Sequence, residues 1–183
     1  MVDIIGKSPV PVFLLVAGKL ALLFCAFFFV ANFLSPDAML YDSVVTRAAG
    51  IVLYASGIAI VIVSLVQLGQ SAAVGLPERN TELRTHGLYR FSRNPVYLGA
   101  FIICAGSCFS SIHPVNFLLC AIAIGIHLRI VRKEEEFLEK RFGQQWLDYK
   151  QQVPRYLGRT TRTLPVSRHD NTGGHRPYTG GAR

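Results

Sequence analysis

Residues 83–99, LRTHGLYRFSRNPVYLG, lie between long apolar blocks and bring polar and basic side chains to the predicted start of a membrane helix. Asn is a favoured N-cap and Pro a favoured first helical residue, so Asn94 and Pro95 predict where this helix begins. The N-terminus of a helix offers free N–H groups and partial positive charge, here beside Arg93. This segment therefore predicts an anion-binding site, and chemistry, at a lipid–water boundary.

Four apolar blocks predict an all-α integral membrane protein. Hydrophobic residues make up 51% of the 183 residues and charged residues only 16%. A membrane-spanning helix needs about 20 apolar residues, with a range of ~17–25. We predict four transmembrane helices, near residues 12–34, 44–68, 96–112 and 114–130, with the last two forming a tight hairpin.

The distribution of Lys and Arg predicts the orientation in the membrane. The connection at residues 69–94 contains four Arg, whereas the connection at 37–43 and the hairpin loop near His113 contain neither Lys nor Arg. The positive-inside rule therefore predicts that both termini and the 69–94 connection lie in the cytoplasm.

A polar helical tract is predicted after the fourth block, with Gly143 ending one helix and Pro154 a second. Its apolar side repeats every three or four residues, and its members are Leu128, Val131, Leu138, Phe142, Trp146 and Tyr149, with Glu135 as the one charged member. Residues 1–157 are predicted to form one membrane domain whose C-terminal helices are cytoplasmic. Residues 158–183 are predicted to be a basic, disordered tail that contacts anionic lipid.

The four cysteines, Cys25, Cys104, Cys108 and Cys120, all lie inside predicted spans. A buried cysteine commonly acts as a small apolar packing residue. No CxxC spacing typical of a metal site is present, and no His accompanies Cys104 and Cys108 nearby. We therefore expect packing roles and no metal site.

His127 and Glu134 are seven residues apart, so on a continuous helix they lie nearly in line, two turns from each other. Ionisable residues at a membrane edge usually line a functional site or pair with each other. The alternative is that His127 is a satisfied core histidine and the Glu residues belong to a solvated helical face. Similarly, Arg129 and Arg132 either bind substrate or only anchor the helix at the cytoplasmic side.

Two sequence blocks resemble a known family. GLYRFSRNPVYLG, residues 87–99, resembles the GPYRYVRHPxYLG block of the isoprenylcysteine carboxyl methyltransferase family and its phospholipid methyltransferase relatives. HLRIVRKEEEFLEKRFGQQWLDYKQQVPRYL, residues 127–157, resembles that family's second block of a His, a Glu pair, FG, two Tyr and VPR. The blocks flank one helical hairpin, and the resemblance covers about residues 83–157. Three positions depart from the family pattern: Leu88 replaces Pro, Asn94 replaces His and Trp146 replaces Tyr.

The resemblance implies S-adenosylmethionine-dependent methyl transfer, with the C-terminal helices completing the cofactor pocket. The implied cofactor-binding residues are Tyr89, Asn94, Tyr97, Leu98, Gly99, His127, Glu134, Glu135, Tyr149 and Arg155. Arg93 and Glu134 are the implied catalytic residues, and Arg93, Arg129 and Arg132 the implied substrate-binding residues. In this interpretation the helix start takes the cofactor carboxylate, and Glu134 or Glu135 takes its ammonium or ribose. Gly99 would let the ligand approach the backbone closely.

The expected acceptor is a lipophilic small molecule or a lipid-modified substrate: a prenylcysteine-like carboxylate, a phospholipid amine or an isoprenoid-type metabolite. Membrane lipids are further expected partners, and nucleic acid is not. The small, four-span size predicts a multi-pass protein of the cytoplasmic (inner) membrane. Two alternatives are a nicotinamide-dependent membrane sterol or lipid reductase and a non-catalytic membrane adaptor. The Glu134-Glu135 pair and the VPR ending favour the methyltransferase, whereas Asn94 and Trp146 would suit the adaptor.

Overall fold

The computed structural model describes residues 11–34, 41, 43–69 and 83–158. Its regular elements are α1 (Val12–Leu34), α2 (Val44–Leu68), a 3₁₀ turn (Gly87–Arg90), α3 (Pro95–Ser110), α4 (Pro114–Phe142) and α5 (Gln144–Gln152). An isolated antiparallel bridge joins Tyr41 to Ile112. The prediction of an all-α protein is confirmed for these residues, and the predicted tail beyond residue 158 lies outside them.

Three helices, α1, α2 and α4, are long and apolar enough to cross a membrane. Many of their large apolar side chains are exposed, among them Phe13, Val45 and Val66, as expected for contact with lipid. α3 is apolar but has only 16 residues. It is about 24 Å long, less than the ~30 Å hydrocarbon layer. The predicted integral membrane class is confirmed, but the described residues contain three candidate spans and one shorter apolar helix where four spans were predicted.

Capping side chains define where α2 and α4 begin. The Oγ of Ser43 accepts a hydrogen bond of 3.4 Å from the N–H of Thr46. His113 serves α4 in the same way, because its Nδ1 accepts from the N–H of Val115 at 3.3 Å. Each cap satisfies one of the N–H groups that a helix start leaves unpaired.

α3 begins at Pro95, as predicted, and Asn94 occupies the N-cap position. The Asn94 side chain, however, makes no capping hydrogen bond. Its amide donates instead to the buried carboxylate of Glu135 at 2.9 Å. A hydrogen bond to an ionised acceptor is strong, so this bond orients the Asn94 side chain towards α4 and not over the start of its own helix.

α4 continues well past the predicted span because its polar half, rich in Glu, Lys and Arg, consists of good helix formers. It ends where Gly143 adopts a φ of 53° and donates its N–H to the carbonyl of Glu139 at 2.9 Å. Glycine suits this left-handed position, which other residues rarely adopt. α5 follows at once and ends before Pro154, so both predicted helix ends are confirmed.

Glycines allow α2 and α3 to pack at close range. A Cβ built at Gly57 would lie 2.8 Å from the carbonyl oxygen of Gly99, and one at Gly106 would lie 2.8 Å from that of Gly50. Small residues commonly permit such close helix contacts in membranes. A Cβ at Gly99 would lie 2.7 Å from the side chain of Val61, so this glycine also serves the helix contact, and its role in ligand binding stays a prediction.

The bundle core lies where α1, α3 and α4 meet. Its buried apolar members are Ala21, Cys25, Cys104, Cys120 and Ala123. The fully buried amide of Asn116 donates to the carbonyls of Ser107 at 3.1 Å and Ser111 at 3.0 Å. Ser107 Oγ donates to the carbonyl of Cys25 at 2.7 Å. These paired polar groups join the α3–α4 hairpin to α1.

α5 packs back against the end of α4. Trp146, Tyr149 and Val153 are buried together and contact Leu138 and Phe142. This contact confirms that the predicted apolar side of the C-terminal tract faces inward.

Candidate active site

Glu135, on α4, is the centre of a buried ion-pair network and is 4% exposed. Its Oε1 accepts hydrogen bonds from Arg93 Nε at 3.2 Å and Asn94 Nδ2 at 2.9 Å. Its Oε2 accepts from Arg155 Nε at 3.0 Å and Nη2 at 2.7 Å. The hydrogen bond to this carboxylate raises the pKa of Arg155 above its usual value. Two guanidinium groups and one amide thus offset the cost of burying the charge.

The same region joins the start of α3 to the segment that follows α5. The N–H of Arg93 donates to the carbonyl of Pro154 at 2.9 Å, and its Nη1 donates to the carbonyl of Val153 at 2.9 Å. Ser92 Oγ donates to the carbonyl of Arg155 at 3.1 Å. The two sequence blocks that carry the family resemblance are therefore one structural unit.

Arg93, predicted to act on substrate, is held by protein groups. Its side chain is 8% exposed, and its Nη1 also donates to the carbonyl of Lys150 at 2.8 Å. The guanidinium carbon lies 5.9 Å from the centre of the Trp146 ring. These contacts favour a role in positioning the two blocks, and a direct role of Arg93 in catalysis stays a prediction.

A second polar cluster, the Glu134 face, consists of Tyr97, His127 and Glu134. Tyr97 Oη donates to Glu134 Oε1 at 2.9 Å, and its ring centre lies 5.8 Å from that of His127. Because Tyr97 reaches both side chains, Glu134 and His127 lie on the same face of α4, as their spacing predicted. Among the described residues, Tyr97 is the hydrogen-bond donor that reaches Glu134.

The backbone orients the imidazole of His127. Its Nδ1 lies 2.7 Å from the carbonyl oxygen of Ala123, which can only accept a hydrogen bond. In the neutral ring the proton therefore belongs to Nδ1, and Nε2 is an acceptor. A Cβ at Gly18 would lie 3.3 Å from Nε2, so α1 approaches this nitrogen closely.

The first turn of α3 keeps N–H groups for which no acceptor is found in residues 11–34, 41, 43–69 and 83–158. The N–H of the half-buried Leu98 donates to the carbonyl of Asn94 at 3.0 Å, but those of Val96 and Tyr97 have no such partner there. Orphan donors at a helix N-terminus favour an anion. One of these N–H groups belongs to Tyr97, a member of the Glu134 face, and anion binding here stays a prediction.

Tyr89 and Tyr149, two predicted cofactor-binding residues, are buried in protein contacts. Tyr149 Oη donates to the carbonyl of Tyr89 at 2.7 Å, and Tyr89 Oη lies 3.5 Å from the carbonyl of Ser64, a weak contact. Burial, and secondarily the negative charge of Glu134, raise the pKa of Tyr89 to about 12. Burial likewise raises the pKa of Tyr149. Both phenols are therefore neutral at physiological pH.

A charged cleft of about 290 Å³ opens beside Glu135. It is lined by Arg132, Glu135, Glu136, Glu139, Lys150 and Arg155. Of the predicted substrate-binding residues, Arg132 lines this cleft, while Arg129 is exposed earlier on α4 and does not. Neither Tyr97 nor His127 lines it, so the charged cleft is distinct from the Glu134 face.

Two residues near the site were not predicted from the sequence. Ser92 Oγ accepts a hydrogen bond from the N–H of Asn94 at 3.2 Å as well as donating to Arg155. Its place two residues before a helix-starting Asn was a usable signal, because Ser often bonds the backbone two residues on. Gly18 had no such signal, since its contact with His127 depends on how α1 packs.

Sequence comparisons with known proteins identify the family. A sequence model of the phospholipid methyltransferase family matches residues 45–145. Protein-S-isoprenylcysteine O-methyltransferase A of Arabidopsis thaliana is 34% identical over 77 residues, and Protein-S-isoprenylcysteine O-methyltransferase B of the same plant is 30% identical over 78. Each alignment covers 42% of this chain, and they cover 39% and 40% of the two relatives, so the match spans about two fifths of their length.

The family match runs from α2 to the start of α5 and includes Arg93, Tyr97, Glu134 and Glu135. It covers more than half of the chain. The chain belongs to the phospholipid methyltransferase family.

Proposed function

We propose that the protein is an S-adenosylmethionine-dependent methyltransferase that acts on a lipophilic acceptor at the cytoplasmic face of a membrane. The observation that carries the proposal is the contrast between two adjacent carboxylates. Glu135 is neutralised by Arg93 and Arg155, whereas Glu134 meets a single phenol, that of Tyr97, among the described residues. A carboxylate with unused acceptor capacity, beside aromatic rings, suits a cationic ligand.

The donors and acceptors of this region fit the polar groups of S-adenosylmethionine. Its carboxylate matches the unpartnered N–H groups of Val96 and Tyr97 at the start of α3. Its ammonium or ribose hydroxyls match Glu134, and His127 Nε2 offers a further acceptor. Glu135 and Arg155 would then support the site by joining its elements, without touching the cofactor.

When bound, the cofactor supplies an activated methyl group on its sulfonium sulfur. The residues of the Glu134 face would hold that group in line with the acceptor atom, and such positioning provides much of the rate in a displacement. A carboxylate acceptor already carries its lone pair, so it needs no base. An amine acceptor must lose a proton, which His127 Nε2 or Glu134 would receive.

The acceptor is proposed to reach the site from the bilayer and to be a prenylcysteine-like carboxylate, a phospholipid amine or an isoprenoid-type metabolite. The names of the two plant relatives support the first class. Arg129 and Arg132, both exposed on the polar half of α4, would attract an acidic acceptor. We place the protein in the cytoplasmic (inner) membrane with both termini in the cytoplasm, on the charge distribution described above.

The test is binding of labelled S-adenosylmethionine and, in parallel, a labelled nicotinamide nucleotide to the purified protein in lipid nanodiscs. We expect saturable binding of the first that unlabelled S-adenosylhomocysteine displaces, and no saturable binding of the second. Saturable binding of the nicotinamide nucleotide alone would favour a reductase. If a folded sample bound neither ligand, a non-catalytic adaptor would be favoured. Both of these results would contradict the proposal.

A further inference from the structure

Three cysteine thiols from three helices meet in the bundle core. Cys25 of α1, Cys104 of α3 and Cys120 of α4 place their sulfur atoms within 4.8 Å of one another. The Sγ of Cys25 lies 3.2 Å from that of Cys120 and 3.9 Å from that of Cys104. Cys104 is 79 positions and Cys120 is 95 positions from Cys25 in the sequence, so only the packing of the helices brings them together.

This thiol cluster is buried, and hydrogen bonds order its surroundings. Its members are between 0% and 3% exposed. The Sγ of Cys120 lies 3.6 Å from the carbonyl oxygen of Cys104 and 3.6 Å from Asn116 Oδ1. Ser107 donates to the carbonyl of Cys25, which holds α1 in register with the other two helices. Packing roles alone would not require three thiols from three helices to lie so close together.

We propose that Cys25, Cys104 and Cys120 form a binding site for one soft monovalent metal ion of the copper(I) class. Thiolate sulfur is a soft ligand that selects copper(I), zinc or iron–sulfur clusters. Structural zinc is almost always bound by four ligands, usually sulfur or nitrogen. Among the described residues, the thiols within 4.8 Å of one another are three, and the Cys108 thiol, which interacts with that of Cys120, lies outside this group.

Charge also favours a monovalent ion. Net charge is costly in the apolar interior of a membrane bundle. One ionised thiol cancels the charge of a monovalent ion, whereas a divalent ion requires two. Binding would release that proton and join α1, α3 and α4, so it would also stabilise the fold. This site does not depend on the proposed enzymatic function.

The test is anaerobic titration of the reduced, detergent-purified full chain with copper(I), in competition with a chromophoric copper(I) chelator. We expect one ion per chain, an X-ray absorption spectrum with sulfur as the nearest neighbour, and an increase in melting temperature. Cys25→Ser and Cys120→Ser should each weaken binding by at least about tenfold, because losing even an outer partner of a ligand costs that much. Cys108→Ser is the matched control, since Cys108 lies in the same core but outside the group of three.

The proposal would be overturned if the reduced wild-type protein bound no copper(I), or if it bound zinc in preference. It would also be overturned if Cys108→Ser weakened binding as much as Cys25→Ser does, or if the nearest neighbour of the bound copper were nitrogen or oxygen. The wild-type stoichiometry and spectrum decide the question even where a serine variant fails to fold.

Discussion

Tyr97 Oη donates a hydrogen bond of 2.9 Å to Glu134 Oε1 and so joins the start of α3 to the polar half of α4. The next residue, Glu135, has a different environment: it is enclosed by Arg93, Asn94 and Arg155. Adjacent carboxylates on one helix point about 100° apart, which lets one maintain the fold while the other faces a ligand. We therefore expect Glu134 and Glu135 to have separable roles.

Glu135→Gln should strongly destabilise the protein. It leaves the buried guanidinium of Arg93 without its counter-charge, and breaking a buried ion pair costs about 3–5 kcal/mol. The loss in free energy of unfolding should lie toward the lower end of that range, because the Arg155 side chain is 40% exposed and water can hydrate it. Thermal unfolding in detergent measures the change.

Glu139→Gln is the matched control for that substitution. It removes the Lys150–Glu139 pair, whose side chains are 41% and 44% exposed, and an exposed pair contributes under about 1 kcal/mol. If both variants unfold at the same temperature, Glu135 does not hold the two sequence blocks together.

Gly57→Ala should separate α2 from α3. The new Cβ would lie 2.7 Å from the side chain of Ile103 and 2.8 Å from the carbonyl of Gly99, and overpacking of this kind costs about 1–3 kcal/mol. Gly125→Ala, in α4, is the comparison, because no atom lies within 4 Å of its Cβ position and alanine favours the helix. Melting temperatures should fall for the first variant and stay equal or rise for the second. If Gly57→Ala melts at the same temperature as the wild-type protein, the close approach of α2 and α3 does not contribute to stability.

Labelling of introduced cysteines tests the orientation of the protein in the membrane. Gln151→Cys, exposed in the last turn of α5, should react with a membrane-impermeant maleimide from the cytoplasmic side, and Val115→Cys, exposed at the α3–α4 hairpin, from the opposite side. The wild-type protein is the background control, since three native cysteines are buried and Cys108 is half-buried. Labelling of both positions from one side of intact membranes would rule out the predicted topology.

Sequence patterns predicted those features that depend on local composition. The bounds of α1 and α2 follow from apolar blocks that contain one charged residue each, and the ends of α4 and α5 follow from Gly143 and Pro154. The shared face of His127 and Glu134 follows from helical periodicity alone.

Other features depend on distant contacts and could not be predicted in this way. Gly99 packs against α2 because Gly57 faces it, and Asn94 bonds Glu135 because the folded chain brings that carboxylate to the start of α3. The meeting of Cys25, Cys104 and Cys120 likewise follows from how three helices pack. Which of the two adjacent carboxylates is neutralised depends on where the fold places Arg93 and Arg155.

The most direct test of the account is the affinity for S-adenosylmethionine of Glu134→Gln compared with Glu136→Gln, measured by calorimetry on purified protein. Glu134 bonds Tyr97 on the proposed ligand face, whereas Glu136 is exposed and lines the charged cleft. Loss of a charge-assisted hydrogen bond costs about 1.5–3 kcal/mol, so Glu134→Gln should weaken binding roughly ten- to hundredfold. Glu136→Gln should bind like the wild-type protein. Equal affinities in the two variants would remove Glu134 from the site and contradict the central claim.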